Sequence, residues 1–225
     1  MAKDYTPLDL NPYRNAGIDV LGGQRNVPLG SQIFHGLPFA IGTGDACFML
    51  LGGDDRDCRT IPIGATATHL IVAHRLLDSS IYDGAPIGAL VAEYVVRYAD
   101  GGSERSPIRE RFEIAAIPTG WGQLPFLALP DRNDALWSRD EGRWSNAGNR
   151  QTEGVQGTAL AYYLWPWANP YPSRTIEALE IVPAGPRFLV AAITLSSLPE
   201  EPFRRGGPLD VKVTLLQQAD AECPF

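Results

Sequence analysis

The chain has 225 residues, 44% of them hydrophobic and 20% charged, with 23 glycines and 19 prolines. That is enough apolar material for a core, which excludes global disorder, and enough turn-formers to favour many short strands over long helices. A formal net charge of −7 and a sequence pI of about 5.0 argue against a nucleic-acid binder, which needs positive charge to displace counterions from phosphate.

Residues 1–30 read as irregular, with prolines at 7, 12 and 28 and glycines at 17, 22, 23 and 30. The opening MAKDYTPLDLNPYRN lacks the apolar stretch of a secretory leader, and no apolar run approaches membrane-spanning length. Three cysteines, Cys47, Cys58 and Cys223, make an odd count that a reducing compartment explains most simply, so a cytoplasmic location is expected. The acidic run GGDDRD at 52–57 reads as a solvated hairpin tip. No cofactor is expected, and this run is where a structural calcium ion would sit if there were one.

HLIVAHRLLD at 69–78 reads as a strand entering a loop. Within it His69 and His74 are five apart, so a strand points them to opposite faces and a shared metal would require the strand to end between them. The clearest strand is ALVAEYVVRYA at 89–99. Ala92, Tyr94, Val96 and Tyr98 should form its buried face, with Val91, Glu93, Val95 and Arg97 opposite. A hairpin is expected to lead through DGGSERSPI into a returning strand at RERFEIAAI.

Residues 120–157 change character, with three tryptophans among charges and little periodicity, as in a working loop or covering flap. Strands resume at TALAYYLW (158–165), TIEALEIV (175–182) and FLVAAITLSS (188–197), the last apolar enough to be central. A final strand is expected at LDVKVTLLQ (209–217). The missing βα alternation excludes a Rossmann-like or barrel enzyme. The expected fold is all-β, a jelly roll or β-sandwich of two antiparallel sheets, in a single domain over 1–225 with its core at about 8–217.

Little in the chain announces catalysis. No Gly-x-Ser-x-Gly elbow, phosphate-binding glycine loop or HExxH occurs. Asp134, Asp140, Glu141 and Glu153 share the long loop, and glycoside or related chemistry would need two of them across a cleft, but their spacing selects no pair. The enzymatic alternative is therefore a hydrolase or lyase acting on a saccharide or small molecule through these carboxylates. Trp165 and Trp167, flanking Pro166, are expected to pack in the core or at its rim. The candidate ligand surface is Trp121, Trp137 and Trp144, which would stack on a sugar face, with Arg143 and Asn146 as hydrogen-bonding partners.

Four stretches in this order form a pattern: LDLNPYRNAG (8–17), VPLGSQIFHGLPFAIG (27–42), VAEYVVRYADGG (91–102) and LWPWANPYPSRTIEALEIV (164–182). The chain resembles the galactose-binding-like β-sandwich accessory domains found beside glycoside hydrolases and at the amino terminus of carbaryl-hydrolase-type (PHP-like) metallohydrolases. The matching residues are Phe34, Gly36, Pro38 and Phe39, the turn Tyr98-Ala99-Asp100-Gly101, and Trp167, Asn169, Pro170 and Pro172, within roughly residues 8–197. The resemblance implies a non-catalytic module that binds saccharide, supports the catalytic domain or subunit of a hydrolase, or mediates homo-oligomerisation. It also implies that FHGLPF is structural: Phe34 and Phe39 enter the core, Gly36 permits a close turn, Pro38 fixes an edge, and His35 is hydrogen-bonded beside the turn.

Overall fold

The computed structural model describes residues 4–119, 124–132 and 159–203. Its strands are β1 (Tyr5–Pro7), β2 (Ser31–Phe34), β3 (Leu37–Ala40), β4 (Met49–Leu51), β5 (Arg59–Ala65), β6 (His69–Leu76), β7 (Leu90–Tyr98), β8 (Ser103–Arg109), β9 (Leu129–Pro130), β10 (Tyr163–Ala168), β11 (Ile176–Pro183) and β12 (Phe188–Ser196). Three short 3-10 turns are the only helical segments among the described residues. The all-β expectation holds there.

Two antiparallel sheets dominate and pack as a β-sandwich. A six-stranded sheet runs β1-β12-β6-β10-β9, with β4 also paired to β12; a four-stranded sheet runs β5-β11-β7-β8. β1 takes Thr194–Ser196 of β12 and β4 takes Phe188–Val190, so the two short strands share one edge of a long one. Between the sheets lie Leu70, Val72, Tyr163 and Trp165 from the larger, and Tyr94, Val96, Tyr98, Leu179 and Ile181 from the smaller. The expected aromatic inner face of β7 is therefore present. Its opposite face carries half-buried Glu93 and Arg97, ion-paired across the ladder with Arg105 (3.0 Å) and Glu180 (2.9 Å). Val95 on that face is nevertheless fully buried, between the Arg105 and Glu180 register positions whose aliphatic stems can cover it.

The larger sheet is covered on its other face too. There Ile71, Ala73, Leu164 and Leu189 pack with Phe34, Leu37, Phe39, Phe48 and Tyr162 under the β2–β3 ribbon. FHGLPF is this ribbon's hairpin: Phe34 pairs with Leu37 across a two-residue loop in which His35 (φ 49°) and Gly36 (φ 75°) are both left-handed. That is the loop geometry whose twist suits a hairpin. The rings of Phe34 and Phe39 sit 5.3 Å apart, and the Thr194 hydroxyl of β12 donates to the Pro38 carbonyl at 2.6 Å, tying ribbon to sheet.

A bulge near Ala191 resets β12. Before it Phe188 and Val190 face the inter-sheet core; after it Ile193 and Leu195 do, while Leu189, Ala191 and Ala192 face the ribbon. One extra residue shifts a period-two pattern to the other face.

Two strand expectations need correction. The partner of β7 is SERSPIR, not RERFEIAAI. Arg111 turns left-handed (φ 69°) and the Glu113 carboxylate accepts the Arg109 backbone N–H at 2.8 Å, which closes a turn where a strand was expected. Likewise TALAYYLW begins its ladder only at Tyr163, because Asp131 takes the N–H groups of Leu160 (2.7 Å), Ala161 (2.8 Å) and Tyr162 (3.0 Å). The 209–217 segment lies outside the described residues.

Phe39 is 1% exposed, so Phe39→Ala should cost about 3–5 kcal/mol in urea unfolding, whereas Phe39→Leu should lose well under half of that.

Candidate functional site

The proposed ligand residues Trp121, Trp137, Arg143, Trp144 and Asn146 lie outside the described residues, as do Asp134, Asp140, Glu141 and Glu153. The described tryptophans behave as packing groups. Trp165 is buried in the inter-sheet core, and Trp167 is half-buried against it.

The histidines are separated and individually held. His69 and His74 face opposite sides of β6, as five-residue spacing on a strand requires. His74 is wholly buried, 6.4 Å from the Trp165 ring and nearly parallel to it. Its Nε2 lies 2.8 Å from the Glu113 carbonyl, which can only accept, so Nε2 carries the proton and Nδ1 accepts from the Tyr94 hydroxyl at 3.0 Å. Burial holds the ring neutral, with its pKa lowered to about 4, and pushes the Tyr94 phenol up. Buried His69 contacts the Thr68 hydroxyl through Nδ1, and burial lowers its pKa as well. His35 donates through Nε2 to the Pro130 carbonyl at 2.7 Å, bracing the ribbon against β9.

Among the described residues no three His, Cys, Asp or Glu side chains converge on a metal position. In GGDDRD, Asp55 pairs with Arg59 at 2.6 Å and its own backbone closes the turn by accepting the Gly52 N–H. Cys47 is a buried free thiol and Cys58 an exposed one.

Two of the sequence patterns meet in space. The Tyr98 hydroxyl donates to Asn169 Oδ1 at 2.6 Å, while Asn169 Nδ2 donates to the Ala67 carbonyl at 2.7 Å. Arg174 lies over the Tyr98 ring (4.1 Å) and grips Asp100 with Nε (2.7 Å) and Nη2, which lowers the Asp100 pKa. The YADG turn of one sheet and the WANP segment of the other thus form a single clamp between the sheets. Its groups satisfy one another and leave no reactive atom exposed.

The polar surface least accounted for by folding lies where β8 ends and the 110–119 segment runs past the end of β6. A crevice of about 230 Å³ opens there, lined by Ser79, Ile81, Glu110, Arg111, Pro118 and Thr119. Leu76 N–H donates to the Ala115 carbonyl at 3.1 Å, which holds one wall, and the Arg109–Glu113 ion pair (2.7 Å) holds the turn beneath it. The sequence reading missed these residues because it placed 110–116 in a strand, where Glu110 and Arg111 would be routine ladder positions. The signal available was three charges in RERFE with no matching polar partners across a hairpin.

Family models, curated proteins and solved structures were all compared with the chain, and none matches it.

The depressed His74 pKa sets a pH dependence. The unfolded ring takes up a proton near pH 6.5 and the folded one only near 4, so stability is fully present above 6.5 and is lost as pH falls toward 4. The total loss from this group should be about 3 kcal/mol. Urea unfolding between pH 7 and 5 should show a downward slope that is shallower in His74→Gln than in the wild type, and ring NMR of the folded protein should place the His74 midpoint near 4.

Proposed function

We propose that this chain is a non-catalytic β-sandwich module of the galactose-binding-like, jelly-roll kind, acting beside a hydrolase by contact and not by chemistry. The observation that carries this reading is the condition of its histidines. Each one is engaged in a hydrogen bond inside the fold, and His74 uses both ring nitrogens. The resemblance of the FHGLPF, YADG and WANP stretches to accessory domains supplies the hydrolase partner, with homo-oligomerisation as a further role of the same kind. Free Cys47 and Cys58 suit a reducing, cytoplasmic setting. Among the described residues no helix is long and apolar enough to cross a membrane.

Saccharide binding is the second reading, favoured by a crevice that combines a carboxylate, a guanidinium and two hydroxyls with an apolar wall.

Purified chain should hydrolyse none of a panel of chromogenic glycosides, esters and phosphoesters, and should co-purify with a hydrolase from an extract of its source. Turnover abolished by changing Asp134, Asp140, Glu141 or Glu153 would replace the module reading with the enzymatic one. Calorimetry with oligosaccharides, repeated on Trp137→Ala and Trp144→Ala, assigns any sugar binding to the long loop or away from it.

A further inference from the structure

Glu110 is 4% exposed, yet among the described residues its carboxylate has one hydrogen-bond partner, the Ser79 hydroxyl. An ionised carboxylate accepts about four hydrogen bonds, and a buried one is costly unless it is supplied with them. The nearby cation Arg109 is committed elsewhere, to both carboxylate oxygens of Glu113 at 3.2 and 2.7 Å. Glu110 lines the crevice with acceptor capacity to spare.

The opposite side of the crevice is set by backbone strain. Arg111 sits at φ 69°, a region glycine occupies freely and arginine rarely. It is kept there because its N–H donates to the Ile114 carbonyl (2.8 Å) and its carbonyl accepts from Phe126 (2.9 Å). The side chain, whose guanidinium lies 5.3 Å over the Phe126 ring, thereby becomes part of the lining. Ile81 and Pro118 add an apolar wall, and Thr119 a hydroxyl.

We infer that this crevice is a subsite for the hydroxyl-bearing edge of a single sugar ring or short polyol, which rests on the reading of the chain as a binding module. A simple anion would meet Glu110 and a simple cation would meet Arg111. A neutral diol suits both: its hydroxyls donate to the carboxylate, accept from the guanidinium, and leave C–H groups for Ile81 and Pro118. At about 230 Å³ the space is below the roughly 300 Å³ of pockets for drug-sized ligands, so it takes one ring edge and no more.

The test is amide NMR of the full chain titrated with methyl β-D-glucopyranoside, methyl β-D-galactopyranoside or sorbitol, and in parallel with alanine and methylammonium chloride. Saturable shifts at Ser79, Glu110, Arg111 and Thr119 are expected with at least one of the first three. Glu110→Gln should weaken that binding at least about tenfold, since it removes the charged acceptor. Arg111→Gly should weaken it severalfold while keeping the fold, because glycine accepts the left-handed backbone. Ser79→Ala, a small change at the crevice wall, serves if Glu110→Gln does not fold, and should also weaken binding. The inference fails if no saccharide or sorbitol shifts these amides at about 100 mM, if only alanine or methylammonium does, or if Arg111→Gly and Ser79→Ala both bind sugar like the wild type. Co-purification of a hydrolase with Arg111→Gly separates the two levels. Its persistence when sugar binding is absent overturns the subsite alone, whereas its absence from wild type and variant alike overturns the module reading.

Discussion

Strands β6 and β12 lie side by side with every residue from His69 to Leu76 and from Phe188 to Ser196 out of solvent, so the sheet they centre needs apolar cover on both faces. The four-stranded sheet supplies one cover. The other is the β2–β3 ribbon with the segments around it, and it explains why an otherwise irregular amino-terminal region carries Phe34, Leu37, Phe39 and Phe48. A two-residue hairpin loop and a hydroxyl from the central strand hold that cover in place. The remaining outer surface, on the four-stranded sheet, is free to be charged, and its ion pairs are laid across the ladder there.

Covering both faces also traps polar groups, and the fold answers nearly all of them locally. Asp131 takes three backbone N–H groups where the chain turns into β10. Arg75, almost fully buried, gives one terminal nitrogen to Gln24 and the other to the Ile117 carbonyl, leaving only Nε without a partner. His74 and Asn169 are each spanned between two partners. The result is a set of titratable and polar side chains whose chemistry is spent on position. Glu110 stands apart because its burial is not matched by partners, and this contrast is what gives the crevice at the sandwich end its functional weight.

That crevice exists because the chain leaves β8 by a strained turn and then runs alongside β6. A regular hairpin strand at 110–116 would have paired Glu110 and Arg111 into a ladder and closed the space. The same turn stacks Phe112 against Phe126 at 5.3 Å and brings the Glu113 carbonyl to His74, so the opening at the surface and the locked histidine in the core share one backbone feature.

The alternation of tyrosines and valines in β7, the turn-formers after Tyr98, and the unbroken apolar run of β12 determined by themselves that the chain is all-β, that β7 has an aromatic inner face, and that β12 is central. These are local properties, since a strand's two faces are written at a spacing of two. Tertiary structure alone decided the rest. FLVAAITL is apolar on both faces, so nothing in it marks the bulge at Ala191 or shows which residues face the ribbon. RERFEIAAI alternates well enough to be a strand, and only the bond from the Arg109 N–H to the Glu113 carboxylate, with Arg111 turned left-handed, makes it a turn. Tyr98 and Asn169 are 71 positions apart, and Ser79 and Glu110 are 31 apart. Contacts at such separations depend on how sheets pack, which residue spacing along one strand does not encode.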